Sequence, residues 1–154
     1  MTVMITDFFE ILIIGFLTLL AATGLFYEYM CLLLRFVLKF KLPPRGLLYT
    51  LITGIFLAHG LTITLYAIIY WVLAHWLGYN QLSGLINDHF LSYLYYSATT
   101  YSSLGVGDIF SEGGLRFLTG LQAINGLILI TWSATIAYFS IQKMWKEHDI
   151  DYRI

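Results

Sequence analysis

The sequence predicts an all-α integral membrane protein, and three observations carry that prediction. The 154 residues are 59% apolar and only 11% charged, too few charges to coat a water-soluble sphere of this size. The apolar residues gather in three long runs, 8–38, 47–77 and 114–145, each longer than the ~20 residues a helix needs to cross the hydrocarbon core. Between the second and third runs lies a shorter amphipathic stretch that ends in a polar, glycine-containing loop. It is too short to cross and too apolar to stay in water, so it is expected to enter the membrane and turn back. Residues 1–154 are read as a single unit.

The first run, 8–38, is interrupted by Glu28 and Arg35. Ile11 to Leu20, followed by Ala21 and Ala22, imitates a secretory signal. The residues before it carry Asp7 and Glu10 and neither Lys nor Arg, where a signal needs positive charge. It is therefore read as a permanent span. Pro43 and Pro44 follow; proline ends one helix and suits the first turn of the next. The second run, 47–77, contains His59 and closes on Tyr70, Trp71, His75, Trp76 and Tyr79, an aromatic group of the kind that anchors a helix end at a membrane–water interface. Asn87 or Asp88 is placed to cap a helix over 89–102. The third run, 114–145, ends on Lys143 and Trp145.

The net charge of −1 hides a segregation. Arg35, Lys39, Lys41 and Arg45 stand together without an acid, whereas 78–113 holds Asp88, Asp108 and Glu112 without a base. The C-terminal stretch adds Lys143, Lys146 and Arg153, partly offset by Glu147, Asp149 and Asp151. The excess of basic residues on cytoplasmic segments puts the 39–46 turn and the C-terminus inside the cell, and the N-terminus and 78–113 outside. A lone cysteine, Cys31, permits no intrachain disulfide. No basic stretch interleaved with aromatics suggests nucleic acid. The short tail after Trp145 gives no expectation of a soluble ligand-binding domain. Neither an H-E-x-x-H run, a Ser–His pair nor a carboxylate dyad is present, so no catalytic residue, enzyme activity or cofactor is expected.

The chemistry concentrates in Thr99-Thr100-Tyr101-Ser102-Ser103-Leu104-Gly105-Val106-Gly107-Asp108. Glycines two apart tolerate backbone angles that turn successive carbonyls to one side of an extended strand. The carbonyl oxygens of Ser103, Leu104, Gly105 and Val106, with the Ser103 hydroxyl, can then replace the water around a cation. One strand cannot enclose an ion, so symmetric assembly about an axis is expected.

Aligned on Gly105, Gly107 and Asp108, the run S-L-G-V-G-D resembles the pore loop of the potassium-channel superfamily, T-V-G-Y-G-D. The resemblance extends over roughly the last 65 residues, through the helix before the loop and the span after it. Looser similarity around His59 and Ala123-Ile124-Asn125-Gly126 resembles a small bacterial branch. The resemblance implies a homotetramer in the plasma membrane of a bacterium, in contact with lipid, with 89–102 as pore helix, 103–108 as filter and K+ as the permeant ion, held at Ser103, Leu104, Gly105, Val106 and Gly107. Asp108 would form an acidic ring at the outer mouth. Gly126 would be a bend for gating or a close-packing point between helices. Leu127, Ile130 and Ala134 would line the cavity below the filter or pack on a neighbouring subunit. Gln122 and Asn125 are expected to bond to the surroundings of the pore helix or the filter rather than touch ions.

The departures matter too. Val106 stands where the family usually has Tyr or Phe, so a weakly selective Na+/K+ channel is an alternative, as is a non-conducting subunit that keeps the fold. Ser103 replaces threonine, Thr99 falls where some members carry glutamate, and Tyr95 and Tyr96 match positions often held by tryptophan. Finally, Glu28 and His59 lie at nearly equal sequence distances either side of Pro43. In an antiparallel hairpin they would share one depth, and a charge there must be paired or wet. A Glu28–His59 pair is expected, either structural or able to sense pH, since histidine titrates near neutrality.

Overall fold

The computed structural model describes residues 2–40, 43–79, 81–87 and 89–147. Their order is α1 (Thr2–Phe40), α2 (Pro44–His75), β1 (Leu82–Gly84), α3 (Phe90–Tyr101), β2 (Ile109–Ser111) and α4 (Leu115–Glu147). Three stretches are long and apolar enough to cross a membrane: Phe9–Val37, Arg45–His75 and Leu115–Lys146. This is an integral membrane protein of the all-α class. At 39 residues, α1 is ~58 Å long at 1.5 Å per residue, about twice the hydrocarbon thickness, so it projects beyond the core.

The prolines act as their backbone chemistry requires. Pro43 is extended (φ −61°, ψ 156°) and Pro44 opens α2, where its missing N–H removes nothing from the helix. The Pro43 carbonyl accepts the Leu47 N–H at 2.9 Å.

Inside lipid, apolar burial gives little force between helices, so close approach and hydrogen bonds decide the packing. The contacts of α1 with α4 run in the same direction along both chains. Ile11 occupies the space over Gly114, and Gly15 lets Leu118 and Leu121 approach. Further along, Thr23 donates to Asn125 Oδ1 at 3.1 Å, and the Tyr27 and Trp132 rings stack at 6.0 Å. Against α2 the order reverses. Tyr79, just past its end, donates to Glu10 Oε2 at 2.6 Å, Phe26 meets His59 at 5.0 Å, and Leu33 rests on Gly54. Helix α1 is thus parallel to α4 and antiparallel to α2.

A two-stranded antiparallel ribbon, unexpected from the sequence, ties the loop before α3 to the chain after it, pairing Leu82 with Ser111 and Gly84 with Ile109. Gly84 (φ +101°) is required there, because a Cβ would overlap the Asp108 carbonyl oxygen. Gln81 closes the same corner: its carbonyl accepts the Glu112 N–H at 2.7 Å, and its Oε1 accepts the Leu115 N–H at 3.1 Å, satisfying one of the open donors of the α4 N-terminus.

Two expectations need correction. Tyr70 does not belong to an interfacial belt. It is 1% exposed and donates to Gln122 Oε1 at 2.8 Å, because its position on α2 faces α4 rather than the surface; Trp76, at 76% exposed, keeps the outward position. The N-cap of α3 is His89, in extended conformation and without a side-chain cap bond, instead of Asn87. Asp88, the other candidate, lies outside the described residues.

Candidate functional site

Helix α3 buries Tyr93, Tyr96, Ser97, Thr100 and Tyr101, spacings of three and four that define one face. That face is anchored by hydrogen bonds to both neighbouring spans. The Tyr96 hydroxyl pairs with Thr119 Oγ1 at 2.8 Å, and Ser97 Oγ donates to the Ile63 carbonyl at 2.8 Å. Gln122 Nε2 donates to Ser97 Oγ at 2.8 Å and to the Ser97 carbonyl at 3.1 Å. Gln122 therefore bonds to α3, as expected. Asn125 bonds elsewhere, donating to the Tyr66 hydroxyl at 3.0 Å while accepting from Thr23.

The C-terminus of α3 is closed by its own chain. The Ser103 N–H bonds to the Thr100 carbonyl at 2.9 Å and the Leu104 N–H to the Thr99 carbonyl at 2.9 Å, with Ser103 left-handed at φ +56°. This is the paired-bond cap usually made by glycine. Serine holds it at a cost of about 1–2 kcal/mol for the left-handed backbone. The Gly105 N–H adds a third bond to Thr99 O at 3.2 Å. Beyond it, Gly105 (φ +53°) and Gly107 (φ +87°) are also left-handed, so positive φ recurs at every second residue from 103 to 107.

Asp108 ends the run and is held from both sides. Its Oδ1 accepts the Ile109 N–H at 2.9 Å and its carbonyl accepts the Leu85 N–H at 2.8 Å. The nearby Asp108 carboxylate raises the Tyr95 hydroxyl above the usual phenol range. Thr99, by contrast, turns its hydroxyl back to the Tyr96 carbonyl at 3.0 Å. In the single chain, residues 102–107 are exposed, including the apolar side chains of Leu104 (69%) and Val106 (55%).

On α4, Gly126 is buried, and a Cβ there would overlap the Tyr101 carbonyl oxygen. The two backbones are closely packed at this point, and α4 runs through it unbroken from Leu115 to Glu147. Leu127, Ile130 and Ala134 lie on the exposed side of α4. Thr131 and Thr135 share that side, so it is less uniformly apolar than the expected trio. Both fold their hydroxyls onto their own helix, Thr131 to the Leu127 carbonyl at 2.9 Å and Thr135 to the Thr131 carbonyl at 2.9 Å.

The expected Glu28–His59 pair is not formed. His59 Nδ1 meets the Tyr101 hydroxyl at 2.8 Å and Nε2 meets Ser133 Oγ at 3.0 Å, so both ring nitrogens are occupied. Glu28 is exposed. Equal distance from Pro43 fixes depth and not azimuth, and Phe26, not Glu28, is the α1 residue turned toward the ring. Tyr101 and Ser133, the true partners, come from helices distant in sequence, and no spacing rule connects them to His59. Gln81 and Ser97 were missed for the same reason.

The ion-channel family matches residues 59–143 of this chain, a range that takes in the second half of α2, all of α3 and nearly all of α4 and leaves α1 outside. No curated protein and no solved structure matches it.

Proposed function

This chain belongs to the ion-channel family, and from that premise we propose that it is a passive, potassium-selective cation channel made by four copies around one axis. The observation that carries this reading is the alternation of left-handed residues at 103, 105 and 107, directly after the capped end of α3. Alternating the sign of φ turns successive peptide units so that their carbonyls share one side. Ser103, Leu104, Gly105 and Val106 then supply backbone oxygens, the Ser103 hydroxyl adds another, and Gly107 turns the chain out toward Asp108. Coordination by backbone survives the loss of the family's aromatic at Val106.

Several features support the rest of the assembly. The exposed Leu104 and Val106 side chains need cover that a neighbouring subunit would give. Helix α3 aims its C-terminus, carrying about half a negative charge, toward the loop, which favours a dehydrating cation. Asp108, fixed by the Ile109 and Leu85 N–H groups, makes an acidic ring at the mouth that concentrates cations. The exposed Leu127, Ile130 and Ala134 face of α4, below the Gly126 contact, lines the inner cavity. The membrane is read as a bacterial plasma membrane, and the charge segregation supports an orientation with the N-terminus and Asp108 outside and the C-terminus in the cytoplasm. Ion passage involves neither covalent chemistry nor a resident cofactor.

Val106 favours a second reading. Valine has neither ring nor hydroxyl with which to brace the loop from behind, and a looser loop discriminates sodium less well. Reversal potentials of the reconstituted protein between potassium and sodium solutions separate the two. A potential near the potassium equilibrium value supports selectivity, and one near zero supports the weakly selective channel. Intact tetramers that carry no flux would leave only a non-conducting subunit.

A further inference from the structure

We propose that the hydrogen-bonded chain Tyr101–His59–Ser133 is a coupling strut that makes the geometry of the 102–107 loop depend on the position of α4. The inference rests on reading 103–107 as the ion-conducting loop and identifies His59 as a positioning residue for it.

The strut joins three helices through one half-buried ring. Tyr101 is the last residue of α3, 2% exposed, and the next residues are the loop itself. Its hydroxyl reaches His59 Nδ1 at 2.8 Å, and His59 Nε2 reaches Ser133 Oγ at 3.0 Å. Ser133 Oγ in turn donates to the Ile130 carbonyl at 2.9 Å. With the Ser133 proton on that carbonyl, Nε2 carries the ring proton and Nδ1 accepts from Tyr101, so a neutral imidazole satisfies every group in the chain. The ring is also held in place: Phe26 packs 5.0 Å from it and Phe26 in turn 5.8 Å from Trp132, so α1 buttresses the same point.

Tyr101 is thereby held by α4 at both ends, and the two contacts differ in kind. Its carbonyl abuts Gly126, a steric contact that resists approach and offers nothing against separation. Its hydroxyl is tied through His59 to Ser133, about two turns further along α4, and hydrogen bonds resist separation. If α4 rotates or slides at Ser133, either the Nε2–Oγ bond breaks or the imidazole follows and draws Tyr101 with it. The partners of the half-buried ring, Tyr101 and Ser133, are themselves buried, so a broken bond is not readily replaced by water and the movement is passed on. Tyr101 and Ser133 share no direct hydrogen bond, so the hydrogen-bonded dependence between them runs through His59, apart from the steric contact at Gly126.

The amides of Ser103, Leu104 and Gly105, bonded to the Thr100 and Thr99 carbonyls, report on the foot of the loop. Hydrogen exchange by mass spectrometry on the purified full chain in detergent needs no conduction. Ser133→Ala is expected to speed exchange over 102–107 by roughly threefold to tenfold, the worth of one hydrogen bond, and to leave 115–121 unchanged. His59→Phe should do the same, and the double variant should go no further than either single one. His59→Gln, whose amide can accept from Tyr101 and donate to Ser133, should stay within about twofold of the parent. Unchanged exchange over 102–107 in Ser133→Ala, or effects of Ser133→Ala and His59→Phe that multiply, would overturn the strut. Should His59→Phe fail to fold, Ser133→Ala against His59→Gln decides alone. Potassium flux through the unaltered protein, measured on the same preparation, tests the reading of the loop separately: coupled exchange without flux overturns that reading and keeps the strut.

Discussion

The carbonyl of Tyr101 lies against the backbone of Gly126, in the space that any side chain at 126 would occupy. The end of the short helix and the middle of the last span are therefore packed backbone to backbone, and this contact sets how close the loop stands to α4.

Gly126→Ala is expected to destabilise the protein by about 1–3 kcal/mol, the usual cost of overpacking, despite the ~1 kcal/mol that alanine gains over glycine in a helix. Gly120→Ala is the internal control. Nothing lies within 4 Å of a Cβ at 120, so only the helix gain remains and stability should hold or rise. Thermal unfolding of the two variants in detergent checks both; equal melting would show that the Gly126 contact carries no weight.

The Tyr70–Gln122–Ser97 chain is fully buried and fully bonded. Gln122→Leu strands the Tyr70 hydroxyl and removes the donor to Ser97 Oγ, which keeps its own bond to Ile63, and should cost about 1–3 kcal/mol. Adding Tyr70→Phe removes one stranded group, so the double variant should be more stable than Gln122→Leu alone. Unfolding measurements on both give the sign of the difference directly.

Ser103→Gly separates strain from chemistry. Relief of the left-handed backbone at φ +56° should stabilise the folded loop by up to about 1–2 kcal/mol, less the entropy glycine adds to the unfolded chain. Loss of the hydroxyl should weaken cation binding at the inner end of the loop. Calorimetric titration with potassium is expected to show lower affinity in a protein at least as stable as its parent.

At the mouth, the Asp108 carboxylate raises the Tyr95 hydroxyl. A raised folded-state value means that the interaction stabilises fully below the ordinary phenol value of ~10 and is lost as pH climbs through the raised value. Phenolate absorbance during an alkaline titration should therefore show one tyrosine fewer ionising in the ordinary range than in Asp108→Asn. Cation flux in Asp108→Asn should fall at low ionic strength and approach the parent near 1 M salt, where the Debye length is ~3 Å.

Much of the architecture was legible because lipid imposes simple rules. Runs of apolar residues long enough to cross gave the three spans, and Pro43 and Pro44 marked the turn between α1 and α2. The S-L-G-V-G-D run pointed to the loop whose alternating backbone the structure carries. What the sequence concealed was azimuth. Glu28 and His59 were placed at one depth, yet only the packed helices show that Phe26 faces the ring and that Tyr101 and Ser133 take its nitrogens. Tyr70 looked interfacial because it neighbours Trp71 and Trp76, while its direction, toward Gln122, depends on where α4 lies. The ribbon pairing Gly84 with Ile109 is likewise long-range, and three-residue strands leave no period to detect.

The central claim is tested most directly by a density map of the detergent-solubilised protein in potassium. The account predicts a four-fold assembly with ions stacked on the axis between residues 103 and 107. A monomer or dimer, or a 103–107 loop turned toward lipid or bulk water, would contradict it.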